Sequence, residues 1–433
     1  MKKILLIYIA IILFATALPV FSVGLETFGI GSKAMGLGGA FIGIADDWKC
    51  TYWNPGGLTQ LKGRNIGTYL YVPFYAQGDS NSVKNFDLAN YSLDQGDIFM
   101  RIYPTEPANF NVTGTKGQAY NFGVGMSFEL TPKSVFGLSI YAPYGFSSKW
   151  SDTVVDSTTQ ANIAANYDSG LAVIVTNFSY AHQIKESLSI GLGVNAVYSK
   201  INTIAQKTYT CAAVPTMDYT FNYNTSGGGF GCEGIIGIMY KPNPKFSLGI
   251  VYRTGTIVGI SGDASASHTL LGPNENTTFT QRLPLPSTYG VGLAIKPTER
   301  AAISFDIKRA DWKGMAQIVN YATQGAILTN ISNTAGWRNT TSYRFGLNYD
   351  LNESLTLRSG FMYEPYAVPD RGIGITGIND TSFKYITFGI GYKKGRSNVD
   401  LSIERVFGSR TAAGGDKYSI VMTDYNFGYS YKW

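Results

Sequence analysis

The last nine residues of the chain, YNFGYSYKW at positions 425–433, decide the expected fold. In an extended strand, successive side chains point to opposite faces. The odd-numbered positions of this stretch are all aromatic, whereas the even-numbered positions are small or polar. One aromatic face and one polar face are typical of a membrane β-barrel, in which the aromatic face contacts lipid and the polar face lines a wet lumen. The carboxyl-terminal stretch therefore predicts a membrane-spanning strand.

The same alternation recurs along most of the chain, for example at residues 189–199 and 343–349. It predicts strands near residues 65–75, 120–130, 133–143, 171–183, 187–200, 232–241, 245–256, 287–296, 300–309, 339–350, 354–363, 382–393, 397–407 and 417–433. Short connections alternate with long ones, as expected for periplasmic turns on one rim and extracellular loops on the other. A soluble two-sheet sandwich is the alternative, but it has too small a core for so many aromatic faces, and an open sheet would expose its edges. We therefore expect an all-β fold, an antiparallel transmembrane barrel of fourteen strands.

The amino terminus predicts export from the cytoplasm. Lys2 and Lys3 precede an apolar run at positions 4–18, and Pro19 and small residues lead to Ser22. This order is typical of a secretory signal peptide cleaved after Ser22. No later stretch approaches the roughly 20 apolar residues of a spanning helix. We divide the chain into a signal peptide at 1–22, an N-terminal segment at 23–62 and a barrel at 63–433.

The composition agrees with a barrel in an outer membrane. The chain holds 30 Tyr, 24 Phe and 50 Gly with only 15% charged residues, which favours aromatic girdles and tight curvature over a soluble enzyme. The formal charge of +6 falls to +4 when Lys2 and Lys3 are removed. Because the remaining cations are scattered singly, no nucleic-acid partner is expected. The C-terminal Trp433 predicts recognition by the barrel assembly machinery.

Three cysteines, Cys50, Cys211 and Cys232, leave an odd one in an exported chain. A disulfide between Cys211 and Cys232 would close a polar, Gly-rich stretch and stabilise it by about 3 kcal/mol in the chain-entropy model. The alternative is that these cysteines remain buried thiols.

Residues 23–62 do not alternate. They are rich in glycine, and their apolar positions suit short helical turns but not a long helix. Such a compact segment before the first strand predicts a plug inside the barrel, which we call the hatch. The alternative, a disordered tail, is disfavoured because Trp48, Tyr52, Trp53 and Leu58 would then be exposed to water.

Three motifs in the hatch carry a resemblance to a known family. They are Gly36-Leu37-Gly38-Gly39-Ala40-Phe41, Ala45-Asp46-Asp47 and Trp53-Asn54-Pro55-Gly56-Gly57-Leu58. With them the chain resembles the FadL/TodX family of outer-membrane long-chain fatty acid and aromatic hydrocarbon transporters, and it departs at Gly56, where the family usually has alanine. Further matches in the family's order extend the resemblance along the mature chain.

The resemblance implies a fourteen-stranded barrel with a hatch in its lumen and passive transport of hydrophobic small molecules. Long-chain fatty acids are the first expectation, and neutral aromatic hydrocarbons are the alternative. The implied route runs from an apolar groove in the extracellular loops to a lumen site, followed by hatch rearrangement and lateral exit into outer-membrane lipid beside a kinked third strand. That kink would lie near Pro143 and Gly145, both poor ladder residues. A monomer without cofactors is expected.

The loops expected at 201–231 and 256–286 would form the outer groove in the family's arrangement. Their apolar residues include Phe221, Phe230, Ile260, Leu270 and Leu271. The alternative is that loops of this length need apolar residues merely to fold on themselves.

The parity of strand positions places Arg253, Lys308 and Arg344 on the lumen side of the barrel, in its outer half. Three cations there would bind an anionic head group by charge-assisted hydrogen bonds. The alternative is that each pairs with Asp306, with Glu404 or with a hatch carboxylate such as Asp46 or Asp47.

The motif Asn54-Pro55-Gly56 predicts a rigid turn where the hatch meets the first strand, because Asn, Pro and Gly each favour turns. In the family this element anchors and gates the plug, and we group Asp46 and Asp47 of the hatch with it. The alternative is a plain turn without a gating role.

Two competing functions are disfavoured. A general diffusion porin would lack the Gly-rich plug. A lipid hydrolase needs a nucleophile and a base within hydrogen-bond reach. The only histidines are His182, expected on the lipid face, and His268, in a loop without an evident orienting carboxylate. No enzymatic activity is expected, and no metal-ligand spacing is present.

Overall fold

The computed structural model describes residues 22–23, 25–27, 29–78, 116–118, 121–155, 161–334, 336–370, 380–411 and 417–433. Over these ranges most of the chain is in β-strands, with a few short helices near the amino terminus and in connections. The predicted signal peptide, residues 1–22, lies outside the described residues except for Ser22.

Fourteen strands form a closed antiparallel barrel. In order around the wall they are β3 (Arg64–Gly78), β5 (Asn121–Thr131), β6 (Ser134–Val155), β7 (Asn162–Lys185), β8 (Leu188–Thr210), β9 (Tyr219–Asn243), β10 (Phe246–Arg253), β13 (Thr288–Ile295), β14 (Ala301–Ala310), β17 (Thr340–Asp350), β18 (Leu355–Glu364), β19 (Ser382–Lys394), β20 (Ser397–Thr411) and β21 (Lys417–Lys432). The last strand closes on the first, since Tyr425 pairs with Val72. The barrel predicted from alternation is confirmed.

The two faces of the wall differ as the alternation predicts. On β21, Tyr425 and Phe427 are 48% and 43% exposed on the outside, whereas Asn426 between them is only 2% exposed. On β14, Phe305 and Ile307 are likewise exposed around the fully buried Asp306. Closure of the ladder satisfies the backbone groups within the sheet, which surrounding lipid requires.

On one side of the barrel the wall continues beyond the other strands. β7, β8 and β9 have 24, 23 and 25 residues, and β8 pairs with β9 as far as Tyr209 and Tyr219. The outer half of β9 then pairs with β11, and the sheet continues through β12, β15 and β16. These strands are β11 (Thr256–His268), β12 (Glu275–Leu285), β15 (Ala316–Tyr321) and β16 (Ile331–Thr334). We call these four strands and the outer halves of β7–β9 the outer sheet.

The outer sheet corrects one expectation, that of loops at 201–231 and 256–286. Both ranges are largely paired strand. The physical reason is that one face of these strands packs on a protein core, with Phe221 and Ile260 each 1% exposed on the inner face. Apolar residues in these ranges therefore form a core under a sheet.

The remaining elements are short. The strands are β1 (Ser22–Val23), β2 (Glu26–Thr27) and β4 (Lys116–Gln118), the α-helices are α1 (Ser32–Gly36) and α2 (Cys50–Trp53), and the 3₁₀ helices are Pro55–Gln60, Pro215–Met217 and Trp312–Gly314. None of the helices in the described ranges has the length and apolar character needed to cross a bilayer.

The hatch lies inside the barrel, and Ala34, Phe41 and Leu58 within it are fully buried. Its backbone packs directly on glycines of the wall. A Cβ built on Gly249 would lie 2.1 Å from the Ile42 carbonyl oxygen. Side chains at such wall positions would occupy space that the hatch backbone fills.

The expected disulfide between Cys211 and Cys232 is wrong. Cys211 is buried just beyond the end of β8, whereas Cys232 is exposed and pairs with Ala196 on that strand. Position 211 is 15 residues beyond position 196, or about 50 Å at about 3.3 Å per residue. Bonded cysteines have Cα atoms within about 7 Å. The long pairing of β8 with β9 therefore separates the two sulfurs, and the alternative of buried thiols holds for Cys211 but not for Cys232.

Candidate functional site

Asn54 anchors the hatch to the wall. Its fully buried side chain accepts a hydrogen bond from the Gly56 amide at 3.0 Å through Oδ1. Its Nδ2 donates to the carbonyls of Ile42 at 3.1 Å and Ile238 at 3.0 Å. Because Ile238 belongs to β9, one amide group joins two hatch segments and the barrel. Pro55 follows as the first residue of a 3₁₀ helix.

The structure gives a reason for glycine at position 56, where the family pattern usually has alanine. A Cβ there would lie 2.9 Å from the carbonyl oxygen of Gly237 on β9, which is closer than real Cβ contacts. The wall therefore approaches this turn more closely than an alanine permits without a shift.

Asp46 and Asp47 form ion pairs within the hatch. Asp46 lies 2.8 Å from Lys33, and Asp47 lies 2.9 Å from Lys49. Burial alone would raise the pKa of Asp46 and lower that of Lys33, but the attraction between them outweighs burial. The pKa of Asp46 is therefore lowered and that of Lys33 raised. These carboxylates do not pair with the lumen cations.

Arg253, Lys308 and Arg344 are on the lumen side, where parity places them, and each has a carboxylate partner. Arg253 Nε lies 3.0 Å from Glu233 Oε1, and Arg344 Nη2 lies 2.7 Å from Glu364 Oε1. The Lys308 ammonium pairs with Glu26. We call these six residues the lumen ion-pair cluster. Pairing was the alternative expectation, and Lys308 pairs with a hatch carboxylate, Glu26, as that alternative states. The two arginines instead pair with wall carboxylates other than Asp306 and Glu404.

Glu26 connects the cluster to the hatch. Besides Lys308, its carboxylate accepts a hydrogen bond from the Tyr52 hydroxyl at 3.0 Å. Burial alone would raise the pKa of Glu26, but the charges of Lys308 and Arg344 outweigh it and hold the pKa below its usual value. Glu26 is therefore an anion that ties β2 to both α2 and β14.

Aromatic rings of α2 pack among these ion pairs. The guanidinium carbon of Arg253 lies 4.7 Å from the centre of the Tyr52 ring, and that of Arg344 lies 5.4 Å from the Trp53 ring. The adjoining cavity holds about 20 Å³. That space suits one or two water molecules, so a hydrocarbon ligand requires movement of the hatch.

β6 has a bulge where the kink is expected. Tyr141 pairs with Val175 and Tyr144 with Val173, so β6 has one extra residue against β7. Pro143 lies inside this bulge, as expected for a residue that cannot donate to the ladder. A Cβ at Gly145 would lie 2.8 Å from the Leu171 carbonyl oxygen. The two strands therefore approach closely just beyond the bulge.

The edge of β6 that faces β5 changes its pairing partner at the level of the bulge. Within the described residues, its pairing with β5 ends at Ile140. The hatch strand β2 then takes this edge, since Glu26 pairs with Tyr144 and the Gly145 amide donates to the Leu25 carbonyl at 2.8 Å. Among the described residues, the hatch therefore takes over the edge of β6 that β5 leaves.

The expected groove residues do not form one surface, which corrects that expectation. Phe221 and Ile260 are buried under the outer sheet, whereas Phe230 is 76% exposed on the opposite face. Leu270 and Leu271 are exposed at the turn that follows β11. The cause is strand parity, because Phe221 and Phe230 are an odd number of residues apart.

The three carboxylates of the lumen ion-pair cluster were not among the expected site residues. Glu233 lies on the predicted strand at 232–241, and Glu364 directly follows the one predicted at 354–363. Both are at inward positions, so parity could have found them. Glu26 and Tyr52 lie in the hatch, where no repeating pattern gives the direction of a side chain.

The motifs, the barrel and the hatch match a known family of proteins. The model of the family described as "Outer membrane protein transport protein (OMPP1/FadL/TodX)" matches residues 22–428. The chain belongs to the OMPP1/FadL/TodX family. The predicted resemblance is confirmed, and the chain is an outer-membrane β-barrel protein, as expected. The OMPP1/FadL/TodX family consists of transport proteins.

Individual members of the OMPP1/FadL/TodX family are distant in sequence. The long-chain fatty acid transport protein of Escherichia coli O6:H1 is 23% identical over 304 residues, which cover 62% of this chain and 64% of that protein. The chain spans about half to two thirds of the length of the curated relatives it matches.

Solved structures of the OMPP1/FadL/TodX family share the fold over almost the whole chain. A Pseudomonas aeruginosa FadL homologue matches with a TM-score of 0.71 at 13% identity, covering 94% of this chain and 99% of that one. The Ralstonia pickettii toluene transporter TbuX matches with a TM-score of 0.68 at 17% identity and the same coverage. At these identities the likeness concerns the fold alone.

Proposed function

We propose that this chain carries long-chain fatty acids across the outer membrane by passive transport. The fatty acid is captured on the extracellular side and binds through its carboxylate at the lumen ion-pair cluster. The hatch then rearranges, and the ligand leaves sideways into the membrane. The observation that carries this proposal is the ion pair between Lys308 of the wall and Glu26 of the hatch.

Lys308 differs from the other two cations because its partner belongs to the hatch. Arg253 and Arg344 pair with Glu233 and Glu364, which are wall residues and keep their places when the hatch moves. A ligand carboxylate at Lys308 replaces Glu26 in a charge-assisted hydrogen bond. Ligand binding then favours the displaced state of the hatch, because the ligand has higher affinity for that state.

Lateral exit is proposed at the edge of β6 that β2 covers. Glu26 is held there by its pairing with Tyr144 and by Lys308. Release of Glu26 weakens both attachments at once. Pro143 and Gly145 support this position for the opening, because the bulge already interrupts regular pairing there.

Transport of neutral aromatic hydrocarbons is the second candidate, and a specific observation favours it. Each of the three cations already has its own carboxylate, so the lumen ion-pair cluster is neutral as a whole. A neutral ligand packs on Tyr52 and Trp53 without replacing any charge. A relative in Ralstonia pickettii is described as a toluene transporter.

Binding measurements with a Lys308→Met variant separate the two candidates. We expect a radiolabelled long-chain fatty acid to bind the variant at least about tenfold more weakly, because a hydrogen bond between charged groups contributes roughly 1.5–3 kcal/mol. Toluene binding should not change. Arg358→Gln is the matched control, because Arg358 is also a lumen cation, 2.7 Å from Asp400, outside the cluster.

The second candidate predicts a different result from these binding measurements. Saturable toluene binding, with fatty acid binding that is equal in wild type and Lys308→Met, would refute the fatty acid proposal. A general porin would instead show a steady open conductance in planar bilayers. The hatch supports the opposite expectation, because its residues fill the lumen.

Several further roles belong to the same proposal. Asn54, Pro55 and Gly56, with Asp46 and Asp47, form the element that holds and releases the hatch. The chain acts as a monomer after cleavage behind Ser22, and the barrel assembly machinery recognises Trp433. N-terminal sequencing and mass measurement of the purified protein in detergent test cleavage and oligomeric state.

A further inference from the structure

Two buried carboxylates in the lumen, Glu404 and Asp424, are not part of the lumen ion-pair cluster. They lie directly opposite each other on β20 and β21, and both are fully buried. Tyr71 donates to Asp424 Oδ2 at 2.8 Å, and Asn426 Nδ2 donates to Glu404 Oε1 at 2.6 Å. Ser402 Oγ lies 3.4 Å from the same Glu404 oxygen. All of these partners are neutral side chains.

The other buried carboxylates of the described ranges are compensated differently. Glu233 and Glu364 each contact an arginine within 3.0 Å. Asp306 accepts the Ile42 amide at 2.7 Å, and Asp380 accepts the amides of a neighbouring turn. Glu404 and Asp424 have neither an ion pair nor a backbone donor among these residues.

Two adjacent anions in a buried place are unfavourable when no counter-charge among the described residues screens them. Unpartnered oxygens remain in the same place. Glu404 Oε2, Asp424 Oδ1 and Asn426 Oδ1 are buried and have no hydrogen-bond partner in the described part of the chain. Asn426 contacts Glu404 through Nδ2 and lies two residues from Asp424 on the same buried face of β21. Three acceptors without donors indicate a missing positive group.

The chemistry of the donor set suggests what that group is. We propose that Glu404, Asp424, Asn426 and Ser402 form a buried site for a hard divalent cation of the Ca²⁺ type. Carboxylate, amide and hydroxyl oxygens are the ligands that Ca²⁺ takes, and two carboxylates match its charge. Nitrogen and sulfur donors, which softer metals prefer, are not among the described residues of this cluster.

The position of the site connects it to the hatch. α1 packs against β19, β20 and β21, and the unpartnered Ser32 hydroxyl of α1 would lie 2.1 Å from a Cβ on Gly428. Gly428 is the inward position next to Asn426 on β21. A cation at this site therefore joins β20 to β21 and stabilises the part of the wall on which α1 rests.

Terbium luminescence tests the site in the full-length protein in detergent. Tb³⁺ replaces Ca²⁺ and is sensitised by nearby tyrosine, here Tyr71. We expect Tb³⁺ emission that Ca²⁺ displaces and Mg²⁺ displaces poorly, and a thermal midpoint that rises with Ca²⁺ after treatment with EDTA. In Glu404→Gln and Asp424→Asn, affinity should fall at least about tenfold, as ligand-shell substitutions do.

Asp400→Asn is the matched control, because Asp400 is a lumen carboxylate on β20 that is already paired with Arg358. It should retain the Ca²⁺ response. Metal analysis of the wild-type protein, refolded with Ca²⁺ and then dialysed, gives a readout that does not depend on the variants folding. About one Ca²⁺ per chain supports the site.

A different result overturns the proposal. If the wild-type protein holds no Ca²⁺ and gives no tyrosine-sensitised Tb³⁺ emission, no cation site exists. In that case Glu404 and Asp424 share a proton, and Glu404→Gln should be at least as stable as wild type at neutral pH.

Discussion

Replacement of Gly249 by alanine should loosen the hatch while leaving the barrel intact. Gly249 lies on β10 with its missing side chain directed at the hatch. An added Cβ would lie 2.1 Å from the Ile42 carbonyl oxygen and 2.8 Å from Asn54 Nδ2. Ordinary contacts begin at 3.4 Å, so the Ile42 carbonyl has to retreat by about 1.3 Å, which is more than a packed interior absorbs.

The affected contacts set the size of the effect. Asn54 Nδ2 donates to this carbonyl at 3.1 Å, and the Ile42 amide donates to Asp306 at 2.7 Å. Overpacking costs roughly 1–3 kcal/mol, and each buried hydrogen bond that is lost adds about 1 kcal/mol. The barrel ladder is unaffected, because Gly249 pairs with Met239 and Gly292 through its backbone. The cost therefore falls on hatch docking.

Conductance in planar bilayers measures this docking. The wild-type protein should be nearly closed, whereas Gly249→Ala should show open events and a hatch that proteases cleave more readily. Gly259→Ala, on β11 of the outer sheet, is the control, because no atom of the described residues lies within 4 Å of a Cβ at that position. The reasoning fails if Gly249→Ala is as closed and as protease-resistant as wild type, or if Gly259→Ala opens equally.

Two further substitutions test the hatch contacts. Because the pKa of Glu26 is lowered from 4.5, its stabilising contribution is present above pH 4.5 and is lost as the pH falls through the lowered value. Glu26→Gln should therefore lower the free energy of unfolding by about 3 kcal/mol near pH 7, because it leaves Lys308 unpaired. The variant should lose less stability in acid than wild type does. Parallel pH profiles of urea unfolding for the two proteins would contradict this. Asn54→Ala should destabilise the docked hatch by roughly 1–3 kcal/mol, because it leaves buried carbonyls unsatisfied. Asn65→Ala, at the half-exposed start of β3, is the control and should change little in the same protease assay. Equal effects of the two substitutions would rule out a special anchor at Asn54.

Strand alternation predicted the barrel because lipid and lumen impose opposite demands on neighbouring residues. The same rule failed at 201–231 and 256–286, where long connections were expected. There the inner face packs on a protein core and the outer face is mixed, so no continuous aromatic stripe indicated that β8, β9, β11 and β12 extend so far.

Parity also placed Arg253, Lys308 and Arg344 in the lumen, since a strand position determines which face a side chain occupies. It could not supply their partners. The pairing of the two arginines with Glu233 and Glu364 depends on strand register. The pairing of Lys308 with Glu26 depends on the path of a segment without regular strand pairing. The motif Asn54-Pro55-Gly56 indicated a turn, but the wall contact through Ile238 becomes visible only when the hatch is docked.

The height of the outer sheet bears on what an arriving molecule meets first. β9 has 25 residues, an extended length of about 80 Å at about 3.3 Å per residue. A tilt of about 40° leaves about 60 Å of height, against an apolar band of about 25 Å. More than half of this strand therefore stands clear of the hydrocarbon. A water-insoluble compound that approaches the membrane on this side reaches the polypeptide before it reaches the bilayer.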